Sequence, residues 1–233
     1  MGKAAIVELS TYDQCHFFYL DNALRKCGFE VEEILIENLR AKLSPLIYDI
    51  VVVDGIPIVE FDDWVHYLSG PLKAYYNAGG KVVGIGEASA VITKIDLDFF
   101  KEVPPITPEE YQIMCGKYRP IDSGVGLEDV KVALYPLSGL PKDLHGNVVV
   151  ALNLSSGETK NAMFELSMHD FLAVVTEYPS SASILAKYRT PYPARDKPAA
   201  LIVNRTLLVG YHPEMNKTTT DDLCSWIQQL IGG

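Results

Sequence analysis

The sequence is poor in cysteine and contains no paired cysteine motif. Its four cysteines, Cys15, Cys27, Cys115 and Cys224, are widely spaced, and none forms a Cys-x-x-Cys pair. Zinc sites and thiol redox motifs use closely spaced cysteines, so this spacing argues against both. We therefore expect four reduced thiols, no metal site and no cofactor.

Basic residues and long apolar runs are also scarce. The chain has 20 Lys and Arg against 30 Asp and Glu, a net charge of −10. Nucleic-acid binding relies on basic side chains that neutralise phosphates, so the charge argues against a nucleic-acid partner. No apolar run approaches the length of a membrane span, and the first strand is too short for a secretory signal. The sequence predicts a cytoplasmic protein with no membrane association.

The first 94 residues alternate between short apolar runs and longer amphipathic stretches. The runs predict strands at 4–9, 31–36, 49–53 and 81–86, with helices at 14–27 and 62–77 and a helix starting at 87. Strand and helix in alternation indicate an open, mostly parallel sheet with helices on both faces. Such sheets bind ligands beyond the carboxyl ends of their strands.

The middle of the chain follows a different pattern. Residues 95–198 are rich in turn residues and short strands, which indicates an antiparallel excursion beside the sheet. A last strand at 207–211 and a helix at 219–231 return to the main pattern. With no repeat or linker, we expect a single domain over residues 1–233.

A polar motif follows the last strand directly. The four apolar residues within 207–211 are succeeded by His212, Pro213 and Glu214. Residues two apart on an extended chain face the same side, so Glu214 can hold the imidazole of His212 in one tautomer. Pro213 favours an extended conformation for the histidine before it.

This segment resembles the closing motif of the class I glutamine amidotransferases, in which an aromatic residue precedes His-Pro-Glu. The resemblance implies a flavodoxin-like class I amidotransferase fold, with His212 as general base and Glu214 as the group that orients it. It covers the element order of the whole chain, and its motifs cover about residues 50–56, 81–90 and 207–214.

The same family carries its nucleophile in a Gly-x-Cys-x-Gly turn between a strand and a helix. The matching stretch here is 84–88, with sequence Gly-Ile-Gly-Glu-Ala, so the nucleophile position is Gly86. By the resemblance, oxyanion donors come from Gly55 and Ile56, after the third strand, and from the backbone of Glu87. A carboxylate at 87 opposes an oxyanion, although it also suits a helix start.

Other residues could replace the missing thiol. Ser89 lies one helical turn beyond Gly86, Cys115 lies in the excursion, and Cys15 follows the first strand. Glu87 could itself act as a base or nucleophile with His212. Asp62, Asp63 and His66 have metal-ligand spacing on a helix, but helix capping by aspartate is the commoner use.

Two functions therefore remain open. One is an amidotransferase-like domain without glutaminase activity that binds a small molecule or a partner protein. The other is a hydrolase or amidotransferase that uses His212 and Glu214 with a relocated nucleophile. The sequence leaves homo-oligomerisation undecided.

Overall fold

A computed structural model describes the parts of the chain that form the sheet and its helices. The described residues are 2–9, 14–55, 61–96, 127, 129–136, 142, 144, 147–164, 171–190, 194–215 and 218–233. Twelve strands, five α-helices and two short 3-10 helices, Ile36–Asn38 and Pro213–Met215, are formed from them. The strands are β1 (Gly2–Glu8), β2 (Phe29–Glu33), β3 (Ile50–Asp54), β4 (Lys81–Ile85), β5 (Lys94–Ile95), β6 (Lys131–Pro136), β7 (Val148–Leu154), β8 (Thr159–Phe164), β9 (Phe171–Glu177), β10 (Ser183–Tyr188), β11 (Pro198–Val203) and β12 (Thr206–Val209). The helices are α1 (Gln14–Lys26), α2 (Leu39–Lys42), α3 (Phe61–Asn77), α4 (Ala88–Val91) and α5 (Thr220–Gly232).

The main sheet has nine strands in the order β2-β1-β3-β4-β12-β11-β10-β7-β8. The pairs β2–β1, β1–β3, β3–β4 and β4–β12 are parallel, and the remaining pairs are antiparallel. The predicted α/β class is confirmed, with a sheet that is mixed: four strand pairs are parallel and four are antiparallel. The antiparallel half comes from the predicted excursion and its return.

Burial explains why β3, β4 and β12 occupy the middle of the sheet. Every residue of β3 and β12 is buried, and only the first residue of β4 is partly exposed. Continuous apolar runs suit strands that are covered on both faces. The carboxyl ends of these three parallel strands therefore lie side by side: β3 ends at Asp54, and a few residues lead from β4 to Glu87 and from β12 to His212.

A second, three-stranded sheet has the order β5-β6-β9. It is joined to the main sheet by buried hydrogen bonds: the Tyr188 hydroxyl donates to the Ala173 carbonyl at 2.9 Å, and the Ala173 N–H donates to the Gly210 carbonyl at 2.8 Å. The beginning of β9, at Phe171, is thereby held beside the end of β12.

A disulfide links Cys27, just after α1, to Cys224 in α5, across 197 residues of sequence. The expectation that all four cysteines are reduced is wrong for this pair. Packing of α1 against α5 brings the two sulfur atoms together, and spacing along the chain carries no sign of it. Cys115 lies outside the described residues, and the side chain of Cys15 is also undescribed. Among the described helices, none is long and apolar enough to cross a membrane.

Candidate functional site

The ends of β3, β4 and β12 bring the predicted site residues to one point. Val209 pairs with Ile85, and the N–H of Gly86 donates to the Val209 carbonyl at 2.7 Å. Gly86 is thus adjacent to the segment that leads into His212. Val53 pairs with Gly84, which places Asp54 at the same edge.

His212 lies buried between carboxylates on both sides of its ring. Its Nε2 is 2.8 Å from Oε2 of Glu87, and its Nδ1 is 2.9 Å from Oε1 of Glu214. Oδ1 of Asp54 lies 3.6 Å from the same Nδ1. A carboxylate accepts hydrogen bonds and does not donate them, so both ring nitrogens carry protons when both carboxylates are ionised.

The pKa values of His212 and Glu87 are shifted by this arrangement. Burial alone would lower the pKa of His212, but the charges of Glu87 and Glu214 outweigh it and raise the pKa well above 6.5. Burial alone would raise the pKa of Glu87, but the charge of His212 and its hydrogen bonds lower it below 4.5. The favoured state is therefore an imidazolium paired with a carboxylate, and an imidazolium has no lone pair to accept a proton.

The imidazole fills the space that a side chain at position 86 would need. Gly86 has φ +55°, in the left-handed region that favours glycine. A Cβ built on it would overlap Nε2 of His212 and lie 2.7 Å from Cε1 and 3.0 Å from Cδ2. Real Cβ atoms essentially never approach other atoms that closely. A cysteine at position 86 would therefore have to displace His212 or shift the turn.

Carboxylates also hold the backbone N–H groups at two of the three predicted oxyanion positions, Gly55 and Glu87. The Gly55 N–H donates to Oδ1 of Asp54 at 2.9 Å. A hydrogen bond from the backbone of Glu87 to its own side chain contributes to the low pKa of that carboxyl. Oε1 of Glu87 accepts a further bond from the Phe171 N–H at 2.7 Å. Ile56, the other predicted binding position, lies outside the described residues.

Of the serine and cysteine residues predicted as alternative nucleophiles, only Ser89 has a side chain that the structure describes. The Ser89 hydroxyl is buried and lies 3.0 Å from each of the carbonyls of Gly84 and Val209, so it faces the backbone of the sheet. Cys15 is in α1 and Cys115 falls outside the described part of the chain. Asp62, Asp63 and His66 lie in α3, where their side chains are not described.

Glu87, His212 and Glu214 form a buried cluster with two further groups, Asp54 and the Phe171 N–H, which were not predicted from the sequence. Asp54 could have been noticed as a charged residue that ends a continuous apolar strand and precedes a glycine. The Phe171 N–H gave no signal, because only the docking of β9 beside β12 brings it to Glu87. Asp54, His212 and Glu214 are all buried and offer ligand atoms within 4.8 Å of one another, a spacing that can hold a metal ion.

An open cleft of about 700 Å³ lies elsewhere in the fold. Its lining residues are Asp129, Lys131, Thr176, Glu177, Tyr178, Pro179 and Lys197. Glu177 and Phe171 are at opposite ends of β9, about 20 Å apart at the rise of a β-strand. The cleft is therefore separate from the cluster around His212.

Comparisons with known proteins identify the fold. No protein-family model matches the chain, and no curated protein matches its sequence significantly. In structure it is similar to PurLQS from Thermotoga maritima, with a TM-score of 0.57, 13% identity and coverage of 99% of this chain and 100% of that one. It is also similar to a putative GMP synthase subunit from Thermoplasma acidophilum, with a TM-score of 0.52, 11% identity and coverage of 100% and 98%.

A glutamine amidotransferase from Thermotoga maritima is a third similar structure, with a TM-score of 0.51, 8% identity and coverage of 100% and 99%. Together these likenesses support a class I glutamine amidotransferase-like fold for this chain. At such low identity they establish the fold alone.

Proposed function

We propose that this chain is a glutamine amidotransferase-like domain that does not hydrolyse glutamine and that acts by binding a partner protein. The observation that carries the proposal is the ion pair between Glu87 and His212. The carboxylate of Glu87 takes the position against Nε2 that a nucleophilic thiol would need. Among the described residues at this site, position 86 carries no nucleophilic side chain, and both ring nitrogens of His212 are bonded to carboxylates.

Each requirement of glutamine hydrolysis is affected. Position 86 has no side chain, and the space for one is filled by His212. The base is held between Glu87 and Glu214 in its charged form. Oxyanion stabilisation needs backbone N–H groups aimed at a developing negative charge, whereas here the N–H of Gly55 is bound to Asp54. Because these defects concern separate steps, one substitution should not restore the reaction.

A partner protein that binds elsewhere on the surface of this chain is favoured over a small-molecule ligand bound at this site. The described side chains at the ends of β3, β4 and β12 are engaged with one another and are buried. Adding a small molecule among them would require breaking the ion pair. One similar structure is described as that of a putative subunit of GMP synthase, which is one chain of a larger enzyme. By analogy, we infer that binding to another chain is the property retained here.

In the first test, metal ions are removed from the protein with a chelator. The protein is then incubated with an electrophilic glutamine analogue, and its intact mass is measured. We expect no covalent adduct and no ammonia release from glutamine, while an active amidotransferase assayed in parallel gives both. An adduct on any residue near His212 would overturn the proposal.

The proposal that this chain binds a partner protein and not a small molecule is tested by sedimentation and by thermal denaturation with glutamine. Glutamine at millimolar concentration should leave the melting temperature unchanged. A reproducible rise would favour a small-molecule site instead. Concentration-dependent self-association would identify a second copy of this chain as one partner.

A second candidate function follows from the 2.9 Å contact between His212 and Glu214, which is the arrangement of a base and its orienting group. It is a hydrolase or amidotransferase with a relocated nucleophile. Tryptic mapping of an analogue adduct to Cys15 or Cys115 would support this candidate, and substitution of the labelled cysteine should then abolish ammonia release.

A further inference from the structure

The geometry of Asp54, His212 and Glu214 points to a binding site for a divalent transition-metal ion, and we propose that Zn²⁺ is the class of ion it takes. Zn²⁺ is held by histidine nitrogen and carboxylate oxygen at about 2.0–2.2 Å, which puts tetrahedral donors about 3.3–3.6 Å apart. Nδ1 of His212 is 2.9 Å from Oε1 of Glu214 and 3.6 Å from Oδ1 of Asp54. These separations bracket the required spacing.

The charge of the cluster favours a cation. Asp54, Glu87 and Glu214 are buried around one imidazole, so carboxyl groups outnumber the basic groups described in the cluster. Burying excess charge is costly unless it is paired or bound to a metal. A Zn²⁺ ion that takes the place of the Nδ1 proton brings one additional positive charge into the cluster.

An independent observation is the second oxygen of Glu214. Oε2 is buried and has no hydrogen-bond partner among the described residues, and the Glu214 side chain is fully buried. A buried carboxylate oxygen that makes no hydrogen bond loses its hydration without compensation. A metal ion that binds Glu214 through both carboxylate oxygens supplies the missing interaction for Oε2.

The other side of the imidazole has the support that metal-binding histidines usually show. A histidine that binds a metal through one nitrogen commonly donates its other N–H to a carboxylate, which sets the tautomer and the ring orientation. Here Nε2 faces Glu87 at 2.8 Å, and the Phe171 N–H holds Glu87 in turn. Nδ1 is therefore the nitrogen that faces both Asp54 and Glu214.

The mixture of one imidazole and two carboxylates distinguishes among ions. Imidazole suits Zn²⁺ and its transition-metal neighbours, whereas Mg²⁺ and Ca²⁺ favour six or more oxygen ligands. The site goes beyond the proposed function, which concerns the absence of glutamine hydrolysis and does not require a metal. His212 and Glu214 are two residues apart, but the third ligand, Asp54, comes from β3, so no single stretch of sequence contains the whole ligand set.

The test compares the wild-type protein with Asp54→Asn. Asparagine keeps an Oδ1 that can accept from the Gly55 N–H, but it removes the charged ligand oxygen. Both proteins are treated with a chelator, incubated with Zn²⁺, freed of excess metal by gel filtration and measured by elemental analysis. Asp129→Asn, at an exposed aspartate of the separate cleft, is the matched control.

We expect one Zn²⁺ per chain in the wild type and in Asp129→Asn, and at least a 10-fold loss of Zn²⁺ affinity in Asp54→Asn. Zn²⁺ should raise the melting temperature of the wild type but not that of Asp54→Asn. Metal-free Asp54→Asn should melt no earlier than metal-free wild type, because the substitution removes negative charge from the cluster. X-ray absorption should show nitrogen and oxygen ligands only.

Equal zinc content in wild type and Asp54→Asn would overturn the proposal, as would a wild-type protein that retains no zinc. A sulfur ligand in the absorption spectrum would place the metal at a cysteine and would also overturn it. Ammonia release from glutamine by the chelator-treated protein would contradict the proposed function alone, so the two failures are distinguishable.

Discussion

Replacing Gly86 with alanine should cost far more stability than its small size suggests. The left-handed conformation penalises a Cβ by about 1–2 kcal/mol. The same Cβ overlaps the imidazole of His212 and must push it away from Glu87. Breaking one side of a buried ion pair typically costs about 3–5 kcal/mol. We therefore expect a loss of about 4–7 kcal/mol, comparable to the whole stability of many domains.

Gly157→Ala is the matched control for backbone strain. Gly157 lies in the turn between β7 and β8 with φ +91°, and a Cβ there would meet nothing within 4 Å. Only the backbone penalty of about 1–2 kcal/mol applies, a fall in melting temperature of about 2–8 °C for a chain of this size. Urea denaturation of the chelator-treated proteins measures both free energies of unfolding.

Gly86→Ala in a Glu87→Gln background distinguishes the loss of the ion pair between Glu87 and His212 from the steric overlap of the new Cβ with the imidazole. Glutamine keeps an oxygen for the Phe171 N–H but no longer pairs with an imidazolium. Gly86→Ala should then cost at least about 1–2 kcal/mol less than in the wild type, because the pair is already absent. If Gly86→Ala costs no more than Gly157→Ala, His212 does not occupy the space at position 86. Failure of Gly86→Ala to fold while Gly157→Ala folds is the extreme form of the expected result.

Three further outcomes are expected. The raised pKa of His212 means that, in metal-free protein, the ionic pairing of this residue contributes fully to the free energy of unfolding below pH 6.5. The contribution is lost as pH rises through the folded-state pKa. Urea denaturation across pH should show a flatter decline for Glu87→Gln than for the wild type, and an unchanged decline would contradict the pairing of Glu87 with His212. Joint replacement of Cys27 and Cys224 by serine should lower the free energy of unfolding by about 2–5 kcal/mol, and a non-reducing peptide map of the wild type should contain the cross-linked peptide. Ser89→Ala should cost about 1–3 kcal/mol through its lost buried hydrogen bond, yet any glutaminase activity should be unchanged, whereas a loss of such activity would identify Ser89 as a nucleophile.

Much of the parallel half of the fold could be predicted from local pattern. The runs at 49–53 and 81–86 became β3 and β4 within one residue at each end, because buried parallel strands require nearly continuous apolar sequence. The predicted strand at 31–36 instead begins at Phe29 and ends at Glu33. Pairing with β1 sets those ends, with Phe29 opposite Gly2, and the apolar run alone does not contain that information.

The second sheet and the disulfide could not be predicted. Short strands were expected within residues 95–198, but no local pattern indicates that β6 and β9 leave the main sheet and pair with each other. The disulfide depends on the packing of two helices that are nearly 200 residues apart in sequence. The cytoplasmic location stays a prediction.

At the candidate site, sequence pattern led to His212, Glu214, Glu87 and Gly86, and these residues do lie together. What it could not supply was the direction of each side chain. The Glu87 carboxylate was expected to stabilise a helix start or to act in catalysis. It instead turns inward to the imidazole and to the Phe171 N–H, a partner that exists only once β9 has docked.

The bond between Cys27 and Cys224 has a consequence for a broken chain. It ties residues 1–96, which provide Asp54 and Glu87, to residues 127–233, which provide His212 and Glu214. A protease that cut once between residues 97 and 126 would leave two fragments still covalently joined, with every ligand of the proposed metal site retained. Such nicked protein should migrate as one band on a non-reducing gel and as two after reduction.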